Sequence, residues 1–143
     1  KDFVYNVQRP ETEDPWTFEQ RIEEILSRMK VDTLLDRPME TLSGGEQKKV
    51  ALCRLLMDDC NLLILDEPTN HLDLKTKDVL KQALQDYDGT LIIVSHDRDF
   101  LDGLVTKVYE FGHQRVREHL CGIYEFLDTK KLESLQELER KGV

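Results

Sequence analysis

The sequence is poor in the residues that mark secreted, zinc-binding or membrane-spanning proteins. Its 143 residues include three cysteines, four prolines and seven glycines. The cysteines (Cys53, Cys60 and Cys121) are odd in number and form no C-x-x-C pair, which argues against a disulfide framework or a zinc ribbon and favours a reducing, cytoplasmic compartment. The apolar runs at 62–65 and 91–94 hold four residues each, far short of the ~20 that span a bilayer.

Positive charge is also scarce. The chain has 29 acidic and 20 basic side chains and a formal net charge of −9, so we expect no direct binding of DNA by its surface. Hydrophobic residues make up 39%, enough for a globular core, and the length predicts one domain over 1–143. Residues 1–16 contain no secretory signal. Because Lys rather than Met stands first, we expect a piece of a longer protein.

The order of the predicted elements is that of an α/β protein with a parallel sheet. An amphipathic helix is predicted over 17–30, from a capping box at Thr17 and Gln20 and from apolar residues at helical spacing. A second capping box, Ser43 with Glu46, predicts a helix that runs to residue 57.

Two short apolar segments, 61–65 and 90–94, predict strands buried on both faces, as in parallel sheets, with a helix over 73–86 between them. The remaining predicted elements are a short helix, a third strand of the parallel sheet, a turn, a further strand and a charged helix, at 98–104, 107–111, 112–113, 115–119 and 124–141. We expect three regions: a helical region over 16–60, an α/β core over 61–120 and a charged C-terminal helix over 123–141.

The first chemical motif is L-S-G-G-E-Q at 42–47. Two glycines, Gly44 and Gly45, stand where the start of a helix leaves backbone N–H groups unpaired. The partial positive charge of that helix end and the Ser43 hydroxyl favour phosphate oxygens. For this motif alone, a capped helix with a tight turn is the alternative.

The second motif is a pair of carboxylates. Asp66 and Glu67 follow the apolar run at 62–65, at the carboxyl edge where open α/β sheets bind ligands. An aspartate there can hold Mg²⁺, and the adjacent glutamate can take a proton from an attacking water. Ordinary solvated loop acids are the alternative.

The third motif, S-H-D-R at 95–98, follows the second predicted strand at the same edge. Neutral His96 can donate a hydrogen bond to a phosphate oxygen. A structural histidine at a strand end is the alternative.

Together, the segments at 42–47, 62–73 and 95–102 resemble the ATP-binding cassette (ABC) ATPases in order and spacing. The sequence L-D-E-P-T-N-H-L-D at 65–73, together with S-H-D-R-D-F-L-D at 95–102, resembles the ABC-F branch in particular. The resemblance implies a partial P-loop NTPase-type cassette, with a parallel sheet core, flanking helices and a helical signature subdomain. It also implies soluble proteins with two tandem cassettes, which are associated with the ribosome and translation and in some cases with antibiotic resistance.

The resemblance assigns a role to each residue of the first motif. Ser43, Gly44, Gly45 and Glu46 match the signature motif of the family, which contacts the ATP of a partner cassette. ATP and Mg²⁺ are the implied cofactors, and a second cassette is the implied partner.

The other two motifs take their roles in the same way. Asp66 matches the Walker B aspartate that organises Mg²⁺, and Glu67 matches the catalytic glutamate. Asn70 and Asp73 lie in the segment that matches the D-loop between cassettes. His96 matches the switch histidine that contacts the γ-phosphate.

The G-x-x-x-x-G-K-[ST] phosphate loop of this family has no match, since none of the seven glycines begins one. In the family, the signature and the Walker B residues of one cassette serve different ATP molecules. We therefore expect an ABC-F protein that hydrolyses ATP when complete and acts on the ribosome, but no competent ATPase in this chain alone. The alternatives are an ABC transporter subunit, a non-catalytic cassette fragment, and parts of two cassettes fused near 73–75. We also expect an open sheet edge, and with it oligomers or marginal stability.

Overall fold

The computed structural model describes residues 2–141, which form two compact units that divide between Val94 and Ser95. The first unit contains α1 (Asp2–Tyr5), α2 (Pro15–Arg28), α3 (Gly44–Met57), β1 (Leu62–Asp66), α4 (Leu74–Gln85) and β2 (Thr90–Val94), with short 3₁₀ turns at Asp32–Leu34 and Met39–Thr41. The second contains α5 (Arg98–Leu101), β3 (Val108–Gly112), β4 (Arg115–His119) and α6 (Ile123–Lys141). Within residues 2–141, no helix is long and apolar enough to cross a membrane.

Helix α2 begins two residues before its predicted start. Asp14 is the N-cap, and its Oδ1 accepts hydrogen bonds from the backbone N–H groups of Trp16 (3.0 Å) and Thr17 (3.1 Å). Pro15 fills the first helical position, where no N–H is needed. The predicted capping box at Thr17 is therefore wrong, because the Thr17 hydroxyl donates to the Asp14 carboxylate instead. The hydrogen bonds from Thr17 lower the pKa of Asp14.

Helices α2 and α3 pack together and supply much of the core of the first unit. Their buried apolar side chains are Ile22, Leu26, Val50, Leu52, Cys53 and Met57. The predicted helix to residue 57 is confirmed, and so is the predicted helix between the strands, which runs over Leu74–Gln85.

The predicted parallel pair is confirmed, with β1 and β2 in register from Leu62 opposite Thr90 to Asp66 opposite Val94. The predicted burial on both faces is wrong. Leu63 and Leu65 are 2% and 6% exposed, whereas Ile64 between them is 65% exposed. An apolar strand is buried on both faces only where a layer packs on each side, and the described residues cover one side.

The third predicted strand does not extend the parallel sheet. β3 pairs antiparallel with β4 in a separate two-stranded sheet, from Val108 opposite His119 to Gly112 opposite Arg115. The two-residue loop is His113–Gln114, with φ angles of 50° and 59°, as in the turn type that matches strand twist. The turn therefore lies one residue later than predicted, because Gly112 still belongs to β3.

The remaining predicted helices are present with changed ends. α5 is shorter than predicted, because its C-cap is Asp102. α6 runs over Ile123–Lys141, close to the predicted charged helix.

Candidate functional site

The L-S-G-G-E-Q motif at 42–47, called the signature turn below, is ordered by a capping box at the start of α3. Ser43 Oγ accepts from the Glu46 backbone N–H (3.3 Å), and Glu46 Oε2 accepts from the Ser43 N–H (2.7 Å). The backbone hydrogen bond from Ser43 is the largest cause that lowers the pKa of Glu46. Arg37 Nη1 lies 3.1 Å from Glu46 Oε1 and balances its charge. The helix end can therefore still attract an anion, although a carboxylate sits beside it.

The two glycines of this turn have different surroundings. A methyl group at Gly44 would meet nothing within 4 Å, whereas a methyl group at Gly45 would lie 3.0 Å from the His71 carbonyl oxygen. The close approach of the His71 carbonyl therefore explains why glycine stands at position 45. Gly44 is exposed and leaves backbone open to a ligand that approaches from outside, which fits a phosphate group at a helix N-terminus.

Asp66 and Glu67 lie at the carboxyl end of β1, as predicted from the apolar run. Asp66 is exposed and Glu67 is half-buried. Mg²⁺ is usually held by one or two carboxylates together with phosphates and water, and Asp66 fits that role. Among the described residues, no group of three or more histidines, cysteines or acids could hold a metal ion by itself.

The backbone of Glu67 has an unusual conformation. Its φ is 44°, in the left-handed region that few non-glycine residues occupy. Its N–H donates to the Val94 carbonyl oxygen at 2.7 Å. The turn after β1 is therefore fixed to the end of β2 at the residue that carries the candidate catalytic carboxylate.

The loop over 67–73 is compact. The Asn70 N–H donates to the Glu67 carbonyl (3.3 Å), the Leu72 N–H donates to the Thr69 carbonyl (3.2 Å), and Thr69 is 3% exposed. His71 also has a positive φ, of 64°. Asn70 itself is exposed, so its side chain is available to a partner.

Asp73 is the N-cap of α4, a role that the motif did not predict. Its Oδ1 accepts from the Thr76 N–H (3.0 Å), and its Oδ2 accepts from the Thr76 hydroxyl (2.8 Å) and from Lys49 Nζ (2.8 Å). The hydrogen bond from Lys49, followed by those from Thr76, holds the pKa of Asp73 well below its ordinary range.

Sequence reasoning missed two lysines on α3. Lys48 Nζ donates to the Glu67 carbonyl oxygen at 2.5 Å, and Lys49 Nζ pairs with Asp73. Their position directly after the signature, one helical turn from Gly45, was the available signal. Nothing in the local pattern names their partners, which lie 19 and 24 residues away.

His96 lies in the turn between β2 and α5 and is exposed. The Asp97 N–H donates to Ser95 Oγ (3.1 Å), and Asp97 caps α5 by accepting from the Phe100 N–H (3.1 Å). Asp66 and Glu67 belong to the first unit and His96 to the second. Their joint action on one ligand stays a prediction.

A cleft of about 510 Å³ lies elsewhere on the first unit. Residues of α2, the end of α3 and α4 line it, and none of the motif residues does. The motif residues of the first unit thus lie outside this cleft, and Ser43, Gly44 and Asp66 are exposed.

Comparison with known proteins supports the resemblance. The family model described as "ABC transporter" matches residues 2–70. The putative ATP-binding protein YdiF of Bacillus subtilis is 50% identical over 104 residues, which cover 73% of this chain and 16% of that protein. ABC transporter F family member 5 of Arabidopsis thaliana is 42% identical over 116 residues, 76% of this chain and 17% of that protein. The energy-dependent translational throttle protein EttA of Mycobacterium tuberculosis is 38% identical over 128 residues, 90% of this chain and 23% of that protein.

Solved structures show the same fold at lower identity. An archaeal ribosome recycling factor, aABCE1, in complex with the ribosomal stalk protein aP1, has a TM-score of 0.69 at 22% identity and covers 92% of this chain and 26% of that one. An ATP-binding subunit of an ABC transporter has a TM-score of 0.70 at 17% identity, and the match covers 91% of this chain and 56% of that one. The chain spans between 16% and 23% of the three curated relatives. It is part of an ATP-binding cassette of the ABC-F family, with the α/β fold of that domain.

Proposed function

We propose that the chain supplies the signature, Walker B, D-loop and switch segments of an ABC-F protein that, when complete, binds ATP with Mg²⁺ and hydrolyses it. The observation that carries the proposal is the position of two adjacent carboxylates, Asp66 and Glu67, at the carboxyl end of β1 in the first unit. The open helix end at Gly44 in the same unit would contact a second nucleotide, the one held by a partner cassette. Phosphoryl transfer depends mainly on positioning and charge stabilisation, and these are the groups that provide both.

Each group has a defined task in this proposal. The N–H groups at the start of α3 bind phosphate oxygens of the nucleotide held by a partner cassette. Asp66 holds Mg²⁺, which neutralises phosphate charge when bound. Glu67 accepts a proton from the attacking water. His96 donates a hydrogen bond to the terminal phosphate.

The proposed partners are a second cassette and the ribosome, and the proposed compartment is the cytoplasm. A relative is named a translational throttle protein, and a solved relative is a ribosome recycling factor in complex with a ribosomal stalk protein. These names favour a role in translation over transport. An ATP-binding subunit of a transporter with the same fold keeps transport as the second candidate.

The test is a chimaera in which this chain replaces the matching segment of the Bacillus subtilis YdiF protein, which is 50% identical over 104 residues. We expect Mg²⁺-dependent phosphate release, and we expect Glu67→Gln to lower kcat by ~10²–10⁴-fold because the general base is lost. Glu19→Gln is the matched control, since Glu19 is an exposed glutamate on α2. Unchanged hydrolysis by the Glu67→Gln chimaera would overturn the proposal.

Two further measurements separate the candidates. The isolated chain should hydrolyse no ATP. Hydrolysis by the isolated chain that Glu67→Gln abolishes would show that the chain is an active ATPase without a partner cassette. The Glu67→Gln chimaera with ATP should sediment with ribosomes. Co-purification with membrane permeases instead of ribosomes would favour the transporter function.

A further inference from the structure

One face of α3 contacts the loop over 67–73. Gly45 and Lys49 lie four residues apart and therefore share a face of the helix. At the Gly45 end, the His71 carbonyl lies so close that a methyl group would be 3.0 Å from its oxygen. At the Lys49 end, Nζ lies 2.8 Å from Asp73 Oδ2, and the Lys49 side chain is only 18% exposed. The helix thus contacts both the middle and the end of the loop.

Lys48, on the same face, holds the start of the loop at a strained residue. Left-handed backbone at a non-glycine residue persists only where surrounding contacts fix it, and the φ of Glu67 is 44°. Its N–H is held by the Val94 carbonyl at 2.7 Å, and its carbonyl accepts from the Lys48 ammonium at 2.5 Å. A hydrogen bond from a cation is stronger than one between neutral groups. Both backbone polar groups of Glu67 are therefore tied.

We propose that Lys48 is a positioning residue for ATP hydrolysis: its ammonium fixes the backbone of Glu67 and so aims the Glu67 carboxylate. The inference rests on the proposed function, because it takes Glu67 as the general base. Lys49 plays the supporting part at Asp73, where it fixes the other end of the same loop.

The placement of Lys48 has a consequence for how two nucleotides are used. Lys48 lies about one turn from Gly44, at the helix end that we propose binds the nucleotide of a partner cassette. Helix α3 therefore carries two groups that concern different nucleotides. Its first N–H groups would contact the partner's nucleotide, and Lys48 holds Glu67, the general base that would act on the other nucleotide. A shift of α3 on nucleotide contact would move the Lys48 ammonium relative to the Glu67 carbonyl.

The kinetic test uses the YdiF chimaera. We expect Lys48→Ala to lower kcat at least tenfold and to change KM for ATP less than twofold, because Lys48 holds the base and not the nucleotide. Lys48→Arg should recover most of the loss, since a guanidinium can also donate to the carbonyl. Lys75→Ala is the matched control, an exposed lysine on α4. A wild-type kcat in Lys48→Ala, or a KM that rises in proportion to the loss, would overturn the proposal.

A second measurement needs no nucleotide and keeps the two proposals separate. In the unmodified 143-residue chain, Lys48→Ala should speed amide hydrogen exchange over 67–72 at least fivefold, while exchange in β3 and β4 stays unchanged. If Glu67→Gln leaves hydrolysis intact, the proposed function fails. If Glu67→Gln stops hydrolysis but Lys48→Ala leaves either kcat or loop exchange unchanged, only the role of Lys48 fails.

Discussion

The parallel sheet and the hairpin each contain two strands, but different interactions hold them. β1 is held by burial, with Leu63 and Leu65 only 2% and 6% exposed. The hairpin is held to α6 largely by polar and aromatic contacts. Glu110 Oε1 lies 2.6 Å from Lys130 Nζ, and the His119 ring centroid lies 4.9 Å from that of Phe126.

This difference bears on where a site can be built. The stabilisation from apolar burial changes little with moderate changes of pH or salt concentration. Ion pairs near the surface weaken when salt screens them or when a change of pH neutralises one partner. The candidate carboxylates stand at the end of β1, the strand that is held by burial. A site that depends on accurate positioning gains from such support, and the hairpin carries none of the motif residues.

The largest expected effect is the loss of burial under β1. Leu65→Ala should lower the free energy of unfolding by about 2–5 kcal/mol, because it removes buried methylenes and leaves a cavity. Urea denaturation followed by circular dichroism measures the change. Ile64→Thr, at the neighbouring position that is 65% exposed, is the control and should cost less than about 1 kcal/mol. Equal effects at the two positions would contradict one-sided burial.

A smaller effect should appear in thiol reactivity. Cys53 in the first unit is 0% exposed, and burial raises the pKa of its thiol to about 12 although Lys49 opposes the shift. Cys121 in the second unit is half-buried. Because the thiolate is the reactive form, iodoacetamide at pH 8 should modify Cys121 at least tenfold faster than Cys53.

Mass spectrometry of the modified peptides gives both rates, and half-buried Cys60 serves as the control within the first unit. Similar rates at Cys53 and Cys60 would mean that burial does not protect Cys53.

The smallest effect concerns the polar contact of the hairpin. Glu110→Gln removes the ion pair with Lys130 and should speed amide exchange in β3 and β4 by a fewfold, with no change in β1 and β2. Ion pairs at half-exposed positions contribute little, so the fold should survive. Glu133→Gln is the control, since Glu133 is a more exposed partner of the same lysine. Equal acceleration in both sheets would show that the hairpin is not held separately.

The same contact predicts a dependence on pH. The hydrogen bond from Lys130 lowers the pKa of Glu110 below its ordinary value of 4.5. A carboxylate whose pKa is lowered in the folded state stabilises that state above its ordinary pKa, and the contribution is lost as pH falls through the lowered value. Amide resonances of the hairpin should therefore shift below pH 4.5 in the wild-type chain more than in Glu110→Gln. If the hairpin amides titrate identically in the wild-type chain and in Glu110→Gln, ionised Glu110 does not stabilise the hairpin.

The sequence predicted the elements whose signals are local. The Ser43 capping box, the two apolar strands and the helix between them follow from short-range patterns. The parallel pairing of the two strands follows from their strand–helix–strand order. The start of α2 was missed because two capping residues compete there, and Pro15 at the first helical position favours Asp14.

The errors in the sheets have a different cause. A short apolar run is the same whether one face or both faces are covered, so the exposure of Ile64 could not be predicted from it. β3 contains Glu110 and is followed closely by β4, so closing a local hairpin through His113 and Gln114 replaced long-range pairing with the parallel sheet.

The candidate site was predicted in part. Its motif residues lie where their elements place them, whereas their catalytic roles stay predictions. Lys48 and Lys49 were missed because their partners come from a loop 19 and 24 residues away, and helical periodicity carries no information about such contacts.

The unequal surroundings of Gly44 and Gly45 have a consequence for mutational scanning. A screen that selects only for folding should tolerate small side chains at Gly44, where a methyl group meets nothing within 4 Å, and disfavour them at Gly45, where the His71 carbonyl is 3.0 Å away. A screen that selects for the activity of the complete protein should reject substitutions at both. Two neighbouring glycines with identical profiles in one screen would thus separate in the other, and only Gly44 would mark the surface that faces a ligand.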